Sequence, residues 1–321
     1  MSVRVGIIGC GDIAESHIEG HVAAKAAVVA VSDVKPEAAN ARAQQTGARV
    51  CPDYRALIDS GEVHAVSICS PPVAHAEAAV YALRAGVHVL CEKPMAFDVA
   101  SAHRMREAAE QSPALLMPAF RHRFLPAVIA LRQLLSSGRL GEPVLFDNTF
   151  CGPAFGMEQT WFTKQAIAGG GCVLDTSSHS VDLFRFLIGE IVNQHLVTHR
   201  RFRTTDVEDV GILTVRAENG ALGAMRSSFV AGARMAFIDV IGTKGQARYD
   251  YYAKPNALWW RLTEDADWTR QPAAESWGFV EEVAHFLGAV EGKHPLAVSV
   301  EDGVRSMEVI CGAYGEEKET S

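Results

Sequence analysis

The chain has 321 residues, 48% of them apolar and 21% charged, ordinary values for a folded globular chain and far from the composition of a disordered one. Thirty Lys and Arg against 38 Asp and Glu leave a net charge of −8, which argues against nucleic acid or an anionic membrane surface as the main partner. At about 150 residues per domain the length predicts two domains, and no run reaches the roughly 18 apolar residues of a membrane span.

The N-terminal run Val3-Arg4-Val5-Gly6-Ile7-Ile8 is too short for a secretory leader and enters a glycine turn directly. The seven cysteines (Cys10, Cys51, Cys69, Cys91, Cys151, Cys172 and Cys311) are odd in number, scattered and without a CxxC pair. Neither a disulfide framework nor a metal site is expected, and a reducing, cytoplasmic compartment fits.

Residues 3–8 form a short apolar run stopped by Gly9 and predict a buried strand. An alanine-rich helical pattern covers 13–27, and a second buried strand covers 27–31, ending at Ser32-Asp33. Pro36 opens a helix over 36–45, and Asp53 can cap a short helix through Ile58. Strand 63–69 is stopped by Pro71-Pro72, helix 74–85 by Gly86; strand 87–91, helix 100–111 and strand 115–119 follow. This alternation with short connections predicts a doubly wound parallel sheet covered on both faces. Past residue 122 the rhythm changes: helix 126–135, strand 144–150, helix 175–187, then strand-like runs between 192 and 262, including 210–217 and 221–230. Successive strands with glycine punctuation (Gly232, Gly242, Gly245) predict a large, mostly antiparallel sheet. Helices over 278–290 and 301–313 close the chain, and the boundary near residue 121 gives domains 1–121 and 122–321.

Gly9-Cys10-Gly11-Asp12-Ile13-Ala14 reads G-x-G-x-x-A between a predicted strand and a predicted helix, the context a dinucleotide fingerprint requires. Gly9 permits the tight turn, Gly11 lets the backbone approach a pyrophosphate, and Ala14 allows close helix–strand packing. Asp12 and Ile13 begin the helix whose N–H groups would face the phosphates. Asp33 ends the second strand, 19 residues after Ala14. It is either a turn-forming Asp or the carboxylate that accepts from the adenosine ribose; the fingerprint at this spacing favours the ribose. A carboxylate there repels a 2′-phosphate, so NAD is favoured, while Lys35 could offset the repulsion and leaves NADP possible. Ser70-Pro71 follows the strand that ends at Cys69, where backbone held open by prolines could line the cofactor. His75 is a further candidate there, or simply a first-turn residue of its helix.

Cys91-Glu92-Lys93-Pro94 follows the next strand. With the fingerprint, this E-K-P triplet resembles the Gfo/Idh/MocA family of glucose–fructose oxidoreductase, inositol 2-dehydrogenase and relatives. So does the stretch from Gly169-Gly170-Gly171 through Asp175 and His179 to Asp182, which resembles the family's GGG-x-x-x-D-x-x-x-H-x-x-D segment. Phe120-Arg121-His122-Arg123-Phe124-Leu125-Pro126 resembles its R-F-x-P stretch, and Gly242-Thr243-Lys244-Gly245 its late G-x-K-G turn. The similarity spans nearly the whole chain. It implies an N-terminal Rossmann domain, an α+β C-terminal domain for substrate and oligomerisation, and cofactor contacts from Glu92, Lys93 and Arg121. It also implies catalytic use of Lys93 and a cis Lys93–Pro94 bond.

The residue chemistry agrees. Lys93, between a buried strand and a proline, is placed to hydrogen-bond a substrate oxygen. Asp175 and His179, four apart on a predicted helix, share a face, so the carboxylate can orient the imidazole or bind a substrate hydroxyl while His179 takes the proton. The plainer reading is a polar pair on a solvated face, against which the three glycines count. Asp182 reads as an anchor between helices. His122 falls where the family's inositol dehydrogenases carry a substrate-binding arginine, and Arg234 near a position often occupied by tyrosine; both put inositol in doubt as the substrate. Trp161 could line the pocket. The resemblance implies hydride transfer between a nicotinamide and a sugar or cyclitol, by a homodimer or homotetramer. An NAD-dependent glycosidase and a non-catalytic cofactor-binding regulator are the alternatives on this fold.

Overall fold

The computed structural model describes residues 2–154, 160–200 and 205–320. In chain order the first elements are β1 (Arg4–Ile8), α1 (Asp12–Ala23), β2 (Ala27–Ser32), α2 (Pro36–Thr46), β3 (Arg49–Val50), α3 (Tyr54–Asp59), β4 (Ala65–Ile68), α4 (Pro72–Arg84), β5 (His88–Cys91), α5 (Val99–Glu110) and β6 (Leu116–Pro118). They are followed by α6 (Pro126–Ser136), β7 (Pro143–Pro153), α7 (Gln165–Ala168), α8 (Cys172–Leu187), β8 (Ile191–His199), β9 (Val210–Ala217) and β10 (Leu222–Ser228). The last are β11 (Val230–Gly242), β12 (Gly245–Asp250), β13 (Ala257–Leu262), β14 (Thr269–Pro272), α9 (Phe279–Val290) and α10 (Val300–Thr320). No described helix is long and apolar enough to cross a membrane.

Packing divides the chain into two units, Met1–Arg121 with Gly278–Met307 and His122–Trp277 with Glu308–Ser321. The cut after Arg121 falls where the change of rhythm puts it, but the stretch from Gly278 to Met307, expected in the second domain, packs with the first. The reason is local: α9 lies against α1, and Gly20 leaves the space that Val283 fills, 2.8 Å from where a Cβ would sit.

In the first unit the strands run parallel in the order β3-β2-β1-β4-β5-β6. Val5, Ile7, Ala65, Val66, Ile68, Val89 and Leu90 are fully buried, as a sheet covered on both faces demands. Asp53 caps α3 by accepting from Ala56 N at 2.8 Å, and Asp98 caps α5 by accepting from Ser101 N at 2.7 Å. The strand order reverses between β1 and β4, and ligands of open α/β sheets bind beyond the carboxyl ends of strands at such a point.

The second unit is an eight-stranded sheet, order β14-β13-β12-β11-β7-β10-β9-β8, antiparallel except for the β10–β7 pair. Burial alternates along β9 and β10, the period-2 signature of one covered face. That face carries α8, and Gly223 makes room for the Phe184 ring. The other face is open and exposes Leu145, Ile212, Leu222, Ile241 and Trp259.

Three elements were not expected. β3 is only two residues long, α7 is a single turn, and β14 is a fully exposed edge strand of polar residues with no alternating pattern to betray it. α8 begins at Cys172, three residues before the expected start.

Candidate active site

The first unit builds a cradle at its topological switch point. Gly9 turns with φ +88°, and its N–H donates to Ser32 O at 2.9 Å. A Cβ there would collide with the Ser70 backbone, so the β1–α1 turn crosses directly over the end of β4. Gly11 is the N-cap of α1, where no side chain caps the helix and a Cβ would meet nothing within 4 Å. At this N-terminus Asp12 is exposed and Ile13 half-buried. Asp33 is fixed beside them, one carboxylate oxygen accepting from Cys10 N at 2.6 Å and the other from Lys35 N at 2.8 Å. Arg42 of α2 donates to Gly11 O at 3.1 Å. On the β4 side, the Ser70 hydroxyl is buried without a hydrogen-bond partner. An uncapped helix N-terminus, an orphaned hydroxyl and a carboxylate at the end of β2 together suit a dinucleotide.

Gly9→Ala is therefore expected to weaken NADH binding and to cost about 1–3 kcal/mol, because the new methyl is overpacked and the backbone is left-handed. Calorimetric NADH titration and thermal melting check both effects.

Pro71 ends the cradle as the N-cap of α4. His75 does not face it. It is 1% exposed, its Nε2 lies 2.6 Å from Ser70 O and its Nδ1 3.0 Å from Pro94 O. Burial lowers its pKa, and the ring sits between the β4 turn and the β5 turn with a carbonyl oxygen against each nitrogen. His75 positions the loops. The Lys93–Pro94 bond is cis. Glu92 also turns inward: it is 6% exposed, accepts the Lys93 backbone N–H at 3.0 Å and lies 2.8 Å from His17 Nε2. Arg121 lies over the Phe279 ring, 4.6 Å from its centroid, at the entry to α9.

In the second unit α8 presents Asp175 in its first turn, half-buried, and His179 one turn on, 7% exposed. His122, in the 3₁₀ turn Arg121–Phe124, stacks on His179 with centroids 4.0 Å apart and planes within 6°. Tyr251 Oη lies 3.1 Å from His122 Nδ1, and Phe150 packs 5.2 Å from His122 and 6.2 Å from His179. His122 is 2% exposed, so it supports His179 from behind. Asp182, the next inward position on α8, takes a bidentate bond from Arg123, with Nε at 2.9 Å and Nη2 at 2.5 Å. This is the anchoring role its spacing suggests.

The glycines before α8 bring the backbone close to protein, which answers their purpose differently from a ligand contact. A Cβ on Gly171 would strike Glu208, and one on Gly170 would come within 2.9 Å of Tyr314 Oη. Glu208 accepts from Gly171 N at 3.0 Å, Val173 N at 2.9 Å and Tyr314 Oη at 2.6 Å. It caps the helix that carries Asp175 and His179. Burial pushes its carboxyl up, and the Tyr314 and backbone donors only partly offset that.

Trp161 stacks on Phe162 at 3.8 Å in its own 3₁₀ turn. Arg234, exposed on β11, lines a cavity of about 200 Å³ with Phe150, Thr176, Met235 and Tyr252. Sequence reasoning missed His17, Glu208 and Tyr251. The signal for His17 is its i,i+4 pairing with His21 on α1, and that for Glu208 the acidic turn Asp206-Val207-Glu208-Asp209; Tyr251 has none.

A doubly wound unit with a dinucleotide cradle, joined to an open-faced sheet that carries an Asp–His helix, defines a nicotinamide-dependent oxidoreductase. Residues 3–120 match the Oxidoreductase family, NAD-binding Rossmann fold, and residues 128–248 the GFO/IDH/MocA C-terminal domain; the chain belongs to the Gfo/Idh/MocA oxidoreductase family. It is 30% identical to inositol 2-dehydrogenase 3 of Saccharopolyspora erythraea over 98% of this chain and 92% of that protein. It is 28% identical to levoglucosan dehydrogenase of Pseudarthrobacter phenanthrenivorans over 78% of this chain and 74% of that one. A solved structure of levoglucosan dehydrogenase in complex with NADH matches the fold with a TM-score of 0.94 at 22% identity, covering 100% of this chain and 98% of that one.

Proposed function

We propose that this protein is an NAD-dependent dehydrogenase or reductase acting on a CH–OH carbon of a sugar or cyclitol, with Lys93, Asp175 and His179 as its catalytic residues. The observation that carries the reading is His179. It is held in one orientation by the His122 ring at 4.0 Å, with Asp175 one turn before it on the same helix face. Bound NAD supplies the hydride acceptor or donor. The chain's own groups manage the substrate oxygen. In oxidation Lys93 polarises the hydroxyl and His179 accepts its proton; in reduction the same groups return it. Asp175 orients the imidazole or receives a neighbouring hydroxyl. Relatives named as inositol 2-dehydrogenases, a levoglucosan dehydrogenase and a 1,5-anhydro-D-fructose reductase support a polyhydroxylated ring as substrate.

Asp33 favours NAD over NADP, because its carboxylate is fixed by two backbone N–H groups and cannot swing away from a 2′-phosphate. Asp33→Ala is expected to narrow the NADH-over-NADPH preference by about tenfold or more, the loss of one close like-charge repulsion. Competitive titration of the two cofactors measures it. The open sheet face, with its apolar rows around Leu145, Leu222 and Ile241, supports a homo-oligomer that buries it, and the buried free cysteines fit a cytoplasmic setting.

The test is NAD(P)H absorbance with a panel of aldoses, uronates, deoxysugars, keto-sugars and inositols. Turnover that disappears in Lys93→Ala supports the reading. Silence across the panel with intact NADH binding, or hydrolysis of an aryl glycoside without net NADH formation, overturns it.

A further inference from the structure

Two histidines of α1, His17 and His21, lie one turn apart and are both fully buried in the first unit. His21 Nε2 is 2.8 Å from Ser67 Oγ on β4. His17 Nε2 is 2.8 Å from Glu92 Oε1, and Glu92 Oε2 accepts the backbone N–H of Lys93 at 3.0 Å. A continuous polar chain therefore runs from the first helix, through a buried imidazole and a buried carboxylate, to the peptide that carries the catalytic lysine.

The charges on this chain follow from its neighbours. Burial opposes charge on His17, while Cys69, were it a thiolate, and the Glu92 carboxylate 2.8 Å away favour it. Cys69 is itself pushed up by burial and remains a thiol, so the anion facing His17 is Glu92. Burial alone would raise Glu92; His17 and Lys93 together bring it below the usual carboxylate value. His21 is pushed down to about 3 by burial and by the charge on His17, so it stays neutral. Cys91 stays a thiol for the same reason as Cys69, and Phe279 offers a ring 6.3 Å away. The result is a buried imidazolium–carboxylate pair whose carboxylate also feels the Lys93 ammonium.

Such a pair is a poor stabiliser, because desolvating two ions consumes most of what their attraction returns, and an apolar pair of similar volume often serves stability as well or better. What the pair does provide is a carboxylate that cannot move, one peptide bond from Lys93. We infer that His17 and Glu92 are positioning residues for Lys93: Glu92 fixes its backbone and keeps an anion beside its ammonium, and His17 holds that carboxylate ionised and in place. The inference rests on the proposed catalytic role of Lys93.

The test reads the Lys93 ε-amine directly, by lysine 13C NMR in the NADH-bound enzyme without substrate, beside histidine 15N NMR, NADH affinity and kcat. In Glu92→Gln the Lys93 13Cε resonance is expected to move from its wild-type position, since the neighbouring carboxylate charge is gone. His17 is expected to change from imidazolium to neutral imidazole at pH 8. NADH affinity is expected to stay within about threefold while kcat drops by as much as about 10²-fold, the usual penalty for a displaced reacting group. The double variant His17→Leu with Glu92→Leu is expected to melt within a few degrees of wild type and to lose the same turnover. An unmoved Lys93 resonance in Glu92→Gln, a neutral His17 in the wild type, or a double variant with kcat within about threefold of wild type overturns the inference. If the wild type turns over no sugar at all, the functional reading fails, yet the lysine and histidine resonances still decide whether this pair governs Lys93.

Discussion

Lys93→Ala is expected to lower kcat by about 10²–10⁴-fold, the range that a positioned acid–base group contributes, while NADH affinity changes little. The side chain leaves the carboxyl end of β5 on a peptide whose N–H donates to Glu92, with His75 Nδ1 3.0 Å from Pro94 O. Its removal therefore leaves the cradle at Gly9, Gly11 and Asp33 intact and deletes only the cation proposed to polarise the substrate oxygen. His179→Ala is expected to fall in the same range. If the two groups act on one proton, the double variant will be scarcely worse than the poorer single, because groups that act as a unit are not additive. Steady-state kinetics with the identified substrate, beside calorimetric NADH titration, separates the two contributions. A Lys93→Ala enzyme that keeps more than about a tenth of its kcat would falsify the assignment.

What the sequence displays depends on how local the cause is. The glycine turn, Asp33 and the Asp175–His179 spacing are all legible, because each needs only a few consecutive residues and a strand or helix to sit on. The first sheet is legible for the same reason: strands buried on both faces read as continuous apolar runs. The support behind the site is not legible. His17 meets Glu92 across 75 residues, and Glu208 meets Gly171 across 37. In sequence these are a histidine on a helix and an acid in a turn, ordinary until the fold joins them. His122 illustrates the limit. Its position suggests substrate contact, but a ring stacked on His179 and bonded to Tyr251 is already committed to protein. Gly170 and Gly171, before α8, make a close approach, while the partner, Glu208 with Tyr314, became visible only in three dimensions. α9 shows the same dependence: its amphipathic pattern says that it packs, and only Gly20 facing Val283 says where.

Asp182→Ala is expected to destabilise the second unit by about 3–5 kcal/mol, the cost of stranding one member of a buried ion pair. Asp182 is 1% exposed and Arg123 7%, and the guanidinium grips both carboxylate oxygens. Without the carboxylate, a charge that cannot lose its proton remains buried. The Phe186 ring, 4.9 Å from the guanidinium, stabilises it only weakly by comparison. Replacing both partners, Arg123→Met with Asp182→Leu, is expected to recover most of the stability, because no orphaned charge is left. Activity should behave differently. Asp182 lies three residues after His179 on α8, and Arg123 directly follows His122, so the pair pins the 3₁₀ turn to the helix and sets the His122–His179 stack. The double variant should therefore melt near wild type and still turn over more slowly, with NADH binding unchanged. Thermal melting of the single and double variants gives the first comparison and kcat the second. A single variant that melts within a degree or two of wild type shows that the guanidinium finds water. A double variant with full activity shows that the stack holds without the pair.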